Sequence, residues 1–487
     1  MFKVRVKTTK EIKEFSLEKP INGLEFLITN HFYINASCGG KGTCQKCWFL
    51  IDGVKKLSCK TILEKDCEIE LLNHIEPVQK KSRKSIDQSH RFGISLDLGT
   101  TTLAFYLVDL TKKEIIEEVS VLNKQAIFGA DVISRIDYAS RINLLTIHKT
   151  IIEQIKYQIN YFMTLYQIKK IEKLVVAGNT VMSHIFLKVN PKSIGVIPFE
   201  PVFIDHKEIT GKELGLPIEK IIVYPGISAF VGGDIVAGLL ATGFLNESNS
   251  IKLFVDIGTN GEIILKNKTK LYSTSTAAGP AFEGAKIEMG LGGIEGAISK
   301  VEYKNNQLEM TTINNKSAIG ICGSGLVDII NVLVDEGIID ETGAFDEEIK
   351  HNLAKHLKEN KFYLNTEVYI TQKDIREFQL AKAAISAGIE TLINVAGLKN
   401  SDINEVLVAG GFGFYLSKIN AINLGLLPFK SETKITNVGN SSGEGAFLGL
   451  IKEEIIYEGE KIAKEVIQIE LAKNDFFRTK FIDNMGF

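Results

Sequence analysis

The sequence predicts an α/β chain in which a small α+β domain of β-grasp type precedes two similar α/β lobes. Three observations predict it. The first 75 residues alternate short strand signals with one helical run around a cysteine-rich loop. At Phe92 the texture changes to long apolar strands, and the pattern that begins there returns 159 residues later. At 487 residues the chain has room for about three domains. The expected boundaries are a first domain over 1–75, a linker over 76–91, a first lobe over 92–245 and a second lobe over 246–487.

In the first domain Phe2, Val4 and Val6 alternate with polar residues, and Glu11 to Leu17 supplies a partner strand for an opening hairpin. Leu24, Leu27, Ile28 and Phe32 recur at helical spacing. Trp48 to Ile51, a turn at Asp52-Gly53 and Cys67 to Leu72 give further strands. Between helix and strands stand Cys38, Cys44 and Cys47, followed by Cys59, with five, two and eleven residues between successive thiols. That is close to the plant-type ferredoxin spacing for a [2Fe-2S] cluster. Gly39, Gly40 and Gly42 allow positive φ and bring N–H groups near the sulfurs, where they tune the reduction potential. A four-thiol zinc site is the competitor, but such sites use two short knuckles, whereas here three thiols crowd together and the fourth stands apart. Cys67 reads as a small buried hydrophobe.

Charge and composition narrow the class. A net charge of −2 gives no basic field, which argues against nucleic acid as the main partner. Six cysteines, four of them in a cluster pattern, indicate a reducing compartment, and Met-Phe-Lys-Val-Arg-Val lacks the apolar core of a signal peptide, so the cytoplasm is the expected location. Ile221 to Leu245 carries one charge, Asp234, but Pro225, Gly226, Gly232 and Gly233 interrupt it. A buried strand followed by a helix, with no membrane involvement, is the reading we adopt. Gln79 to Arg91, with Lys80, Lys81, Arg83, Lys84 and Arg91, reads as a solvated linker.

From Phe92 to Leu110 two apolar strands meet at a tight Asp97-x-Gly99-Thr100-Thr101 turn, and the design repeats in Leu253 to Leu265 with Asp256, Gly258, Thr259 and Asn260. Glycine lets backbone N–H groups approach phosphate oxygens, threonine adds a hydroxyl and aspartate can hold Mg²⁺ directly or through water. Two such turns facing each other across a cleft would grip one triphosphate. Val406 to Gly413 is a buried strand entering a glycine turn at Gly410 and Gly411, suited to close approach to an adenosine or to strand–helix packing. Gly320 to Gly325, before a helical run over 326–335, carries the same two readings. Gly232 to Ala241 and Ala381 to Ile389 read as helices whose small residues allow close crossing, as a hinge requires. No GxxxxGK[ST] occurs, so a P-loop is excluded.

Duplicated strand-turn-strand phosphate motifs with an Ala-Gly-Gly strand resemble the superfamily of sugar and acetate kinases, actin and heat-shock chaperones, a two-lobed ribonuclease H-like ATPase fold. Fused to a cluster domain, the whole chain resembles the reductive activators of corrinoid-dependent methyltransferases. The resemblance rests on Asn123-x-Gln125, Phe128 to Arg135, Ala177 to Thr180, Thr276 to Gly284 and Gly320 to Gly325. It implies ATP-dependent transfer of one electron from the [2Fe-2S] cluster to a Co(II) corrinoid, restoring Co(I). The implied cofactors are the cluster and ATP with Mg²⁺. The implied partners are a corrinoid protein or methyltransferase and a low-potential electron donor, and the resemblance leaves room for a homodimer. Longer members carry additional segments between the cluster domain and the lobes, where this chain has about 16 residues, a span a linker can cover.

The expected iron ligands are Cys38, Cys44, Cys47 and Cys59. The expected phosphate and magnesium residues are Asp97, Gly99, Thr100 and Thr101 with Asp256, Gly258, Thr259 and Asn260, while Gly323, Ser324, Gly410 and Gly411 come near the adenosine by resemblance. For activating water, Asp131, Asp234, Glu262 and Glu283 all stand in suggestive contexts. His184 reads as a hydrogen-bonded core residue rather than a ligand. Two other functions fit the same residues: a redox-sensing phosphotransferase, or a non-catalytic electron carrier with a degenerate nucleotide fold.

Overall fold

The computed structural model describes all residues except 9–11, 31, 33, 35–41, 43–46, 72–85, 88, 130, 247–248, 347–349 and 412–415. It divides into two compact units, Met1–Val223 and Tyr224–Phe487.

The first unit opens with a five-stranded sheet. Its strands are β1 (Phe2–Lys7), β2 (Ile12–Leu17), β3 (Trp48–Ile51), β4 (Val54–Leu57) and β5 (Cys67–Glu70), in the order β2-β1-β5-β3-β4. β1 runs antiparallel to β2 and parallel to β5. The alternation read from sequence holds: Val4 and Val6 are fully buried beneath helix α1 (Gly23–Thr29), with Phe26, Leu27 and Phe49. Asp52 and Gly53 take φ of 49° and 78°, the left-handed pair a two-residue hairpin needs. Cys67 is half-buried, and burial with Asp52 and Asp66 nearby pushes its thiol pKa up.

The same unit then builds a six-stranded sheet from β6 (Phe92–Leu98), β7 (Thr102–Asp109), β8 (Glu114–Leu122), β9 (Ile171–Gly178), β10 (Lys207–Thr210) and β11 (Ile218–Val223). Their order is β8-β7-β6-β9-β11-β10. Three antiparallel strands come first, and two strands parallel to β6 then extend the sheet on its other side. Helices α2 (Val132–Tyr138), α3 (Leu144–Leu165) and α4 (Thr180–Phe186) follow in the chain, and Ile151, Ile155, Ile159 and Phe162 of α3 are buried in the core of this sheet. Most of the expected linker lies outside the described residues, but its end is anchored: Arg91 pairs with Glu172 at 2.7 Å and His90 meets Asp109 at 2.6 Å.

The second unit repeats the plan. It starts with helix α5 (Gly233–Ala241), then β12 (Ile251–Ile257), β13 (Gly261–Asn267) and β14 (Lys270–Thr276), joined after insertions by β15 (Glu405–Ala409), β16 (Lys434–Gly439) and the short β17 (Ile467–Gln468). The order is β16-β15-β12-β13-β14-β17, with β15 and β16 parallel to β12. Three strands and then two on the far side is the topology of the first sheet, so the internal repeat read from sequence is a repeat of architecture. Helices α6 (Gly323–Asp335), α7 (Gln372–Val395) and α8 (Ser441–Ile451) are among the helices of this unit.

The small-residue helices differ in use. α5 crosses α8 closely: a Cβ at Gly445 would overlap the Ala237 carbonyl, and one at Gly238 would lie 2.7 Å from Ser441 Oγ. The small face of α7 instead meets the sheet, where a Cβ at Gly388 would lie 2.8 Å from Ile263. Among the described residues no helix is long and apolar enough to cross a membrane. The run from Ile221 resolves into the end of β11 and, ten residues later, α5.

Candidate functional site

The thiol region is built on the β3–β4 hairpin. Trp48 pairs with Leu57, and one step beyond, the Ser58 N–H donates to the Cys47 carbonyl at 2.7 Å, so Cys47 and Cys59 stand at the same end of the hairpin. Cys47 is buried, Cys59 half-buried, and neither is in a disulfide. Asn22 joins this end to α1: its Oδ1 caps the helix through Leu24 N at 3.0 Å, and its Nδ2 donates to the Cys59 carbonyl at 2.9 Å. Gly42 has φ of 75°, as the loop reading requires. Cys38, Cys44, Gly39 and Gly40 lie outside the described residues. Two unbridged thiols at one end of a hairpin suit a thiolate-held cluster, and among the described residues no group of three or more metal-binding side chains is present. A cavity of about 710 Å³ in this unit is bordered by Asn22 and Cys59 and by Lys124, Phe128, Tyr138 and Tyr157.

The first phosphate-type turn leaves β6 after Asp97, which pairs with Ala104. Gly99 is required: a Cβ there would overlap the Thr102 carbonyl. Each following carbonyl is held by the scaffold. Asn123 Nδ2 donates to Gly99 O at 2.9 Å, Arg135 Nη2 to Thr100 O at 2.7 Å and the Asn123 N–H to Thr101 O at 2.9 Å. Asn179, which caps α4, also donates from Nδ2 to Thr100 Oγ1 at 2.9 Å. Asn123, Arg135 and Asn179 were quoted in the motifs above but assigned no role. Their signal is only that polar residues sit where a core segment would otherwise be apolar.

The second turn leaves β12 after Asp256, which pairs with Glu262 across the strands, and the Gly258 N–H closes onto Asn260 O at 2.9 Å. Gly410 comes directly onto it: φ is 93°, and a Cβ would lie 2.7 Å from the Ile257 carbonyl and 2.8 Å from Asp256 Oδ1. The glycine strand end and the aspartate turn are therefore one structural site. At Gly411 no atom of the described residues lies within 4 Å of a Cβ. Gly323 begins α6, and Ser324 is buried with its hydroxyl donating to Ser299 O at 2.9 Å, a helix-anchoring contact.

The four carboxylates expected as water-activating candidates differ in their contacts. Asp131 caps α2, accepting from Ser134 N at 2.7 Å and Ser134 Oγ at 3.1 Å. Burial, then the neighbouring Asp234 and Asp256, hold the Glu262 carboxyl well above its ordinary 4.5, which favours its protonated form. A protonated carboxyl is a poor base. Asp234 lies in the first turn of α5, where its carboxylate accepts from Ile235 N at 2.9 Å. Glu283 accepts from the Thr259 hydroxyl at 2.9 Å, which places a carboxylate on the turn itself.

Residues 92–247 match the family described as the RACo middle region, and residues 250–487 the one described as the C-terminal domain of RACo, the ASKHA domain. The corrinoid activation enzyme RamQ of Eubacterium limosum is 37% identical over 422 residues, covering 81% of this chain and 70% of that protein. This chain belongs to the RACo family. A second relative, the Co(II) methylated amine-specific corrinoid protein reductase of Methanosarcina barkeri, is 26% identical over 438 residues, covering 81% of this chain and 77% of that one. A solved reductive activator for a corrinoid, iron-sulfur protein superposes with a TM-score of 0.76 at 28% identity, over 100% of this chain and 98% of that one. As in other RACo proteins, the C-terminal unit is therefore an actin-like ATPase fold, in line with the duplicated sheet order described above.

Proposed function

We propose that this RACo-family chain is an ATP-dependent reductive activator that returns the Co(II) corrinoid of a methyltransferase or corrinoid protein to Co(I). The single observation that supports it most is family membership at 37% identity to a corrinoid activation enzyme, in a chain that has a glycine-threonine turn in each of the two large sheets. Cys38, Cys44, Cys47 and Cys59 are the residues we assign to a [2Fe-2S] cluster, a one-electron donor with a potential near about −400 mV.

The remaining work falls to side chains and backbone. Reaching an acceptor at lower potential takes roughly 1.4 kcal/mol for each ~59 mV. ATP can supply several such increments by favouring one conformation of the complex over another. The assigned phosphate and magnesium residues are Asp97, Gly99, Thr100 and Thr101 of the first turn and Asp256, Gly258, Thr259 and Asn260 of the second. Gly410 and Gly411 are assigned to the adenosine side, and at Gly410 a Cβ would crowd Asp256 Oδ1 at 2.8 Å. Glu283, bonded to Thr259, is the carboxylate we assign to orienting water. The partners are a corrinoid protein and a low-potential electron donor, and the location is the cytoplasm.

The test is anaerobic. Reduced protein is mixed with a Co(II) corrinoid protein, with and without ATP, and cobalt is followed by visible absorbance. ATP should accelerate Co(I) formation, and Asp256→Asn should abolish the ATP effect while leaving the iron-sulfur absorbance in place. Reduction indifferent to ATP and to Asp256→Asn would indicate a simple electron carrier.

A further inference from the structure

Arg135 is fully buried, and its hydrogen bonds among the described residues all go to uncharged acceptors, with the Asp131 carboxylate acting on it only through space. Its guanidinium donates to neutral acceptors: Gly129 O at 3.0 Å, Thr100 O at 2.7 Å, Gln125 Oε1 at 3.4 Å and Met182 Sδ at 3.1 Å. The acidic neighbour in sequence, Asp131, uses both carboxylate oxygens to cap α2. Burial draws the Arg135 pKa down to about 9, which leaves it a cation at neutral pH.

Burying the guanidinium carries a desolvation cost that the Asp131 charge offsets only in part, since the net shift of its pKa is downward. The bond to Thr100 O suggests what the charge serves. In a trans peptide the N–H of the next residue points opposite the carbonyl. Anchoring Gly99 O through Asn123 and Thr100 O through Arg135 thus directs the Thr100 and Thr101 N–H groups away from the scaffold. The positive charge sits one hydrogen bond behind that N–H face.

We propose that Arg135 is a positioning residue for the first phosphate turn, holding its backbone in the anion-accepting orientation and supplying a buried positive charge that a polyphosphate neutralises. This rests on the reading that the Asp97–Thr101 turn takes phosphates of ATP. The nucleotide then adds negative charge beside a desolvated cation, and affinity depends on phosphate charge rather than on the nucleoside.

The experiment uses the full chain as wild type, Arg135→Met, Arg135→Gln and Arg135→Lys, and measures the thermal midpoint without nucleotide and the dissociation constants of Mg-ATP and adenosine. Arg135→Met should lose about ten- to hundredfold in ATP affinity, with adenosine changed less than twofold. Arg135→Lys should recover a large part of the ATP affinity. If Arg135→Met does not fold, Arg135→Gln keeps a donor for Thr100 O without the charge and should show the same selective loss. Equal losses for ATP and adenosine, or unchanged ATP affinity in the neutral variants, would overturn the proposal. Failure of the wild type to bind ATP would instead reject the nucleotide reading itself.

Discussion

His184 shows how a residue type that invites a functional reading is accounted for by its bonds. Its Nε2 accepts from the Val202 N–H at 3.1 Å, so Nδ1 carries the proton and donates to Thr180 O at 2.7 Å, while the ring stacks on Phe203 at 4.2 Å. Both nitrogens are used, and a metal would find no lone pair. Burial first, and Lys207 in addition, lower its pKa from 6.5 to about 4. A depressed folded-state value means stability present above pH 6.5 and lost as pH falls through 4, roughly 3 kcal/mol across the window. Thermal midpoints measured from pH 7.5 to 4 should therefore drop less in His184→Gln than in wild type. Equal slopes would exclude the histidine as the source.

What could be read at this scale was local. Asp256, Gly258 and Thr259 announce a turn because turn chemistry depends on adjacent residues, and Gly99 and Gly410 prove to be positions where a Cβ has no room. Asn123, Arg135 and Asn179 were not legible as parts of the site, because they reach Gly99 and Thr100 across 24, 35 and 79 positions of sequence. Hydrogen bonds of that span are set by topology, which local pattern does not encode.

At the scale of elements, the contact between α5 and α8 depends on absent side chains. Tyr224 Oη donates to Gly445 O at 2.6 Å, and a Cβ at Gly445 would overlap backbone at Ala237. Rigid backbone cannot yield as a side-chain tip can, so the helices must separate. Gly445→Ala should lower stability by about 1–3 kcal/mol, read as a lower thermal midpoint. Gly292→Ala, where no atom lies within 4 Å of a Cβ, is the control and should show no loss. The helical pattern at 381–389 was equally visible in sequence, but not its partner. Small residues permit close approach to any neighbour, and here Gly388 and Ile385 meet β13 and β14.

At the scale of the molecule, the described residues include distinct apolar clusters under the N-terminal sheet, in the first lobe around α3 and in the second unit. Substitutions in the thiol hairpin and in the phosphate turns therefore act on different clusters and should be separable in effect. Cys59→Ser should lose the iron-sulfur absorbance and cobalt reduction while Mg-ATP affinity stays within about twofold of wild type. Loss of both in parallel would mean that the thiol end is needed for the fold as a whole.

The β3–β4 hairpin also contains the only tryptophan in the sequence, Trp48, immediately after Cys47 and with Lys55 Nζ 4.1 Å from the centre of its ring. Indole emission from the unlabelled polypeptide consequently originates from a single spot beside a proposed iron ligand. Quenching during reconstitution, and its recovery on chelation, would follow metallation in real time without any introduced fluorophore.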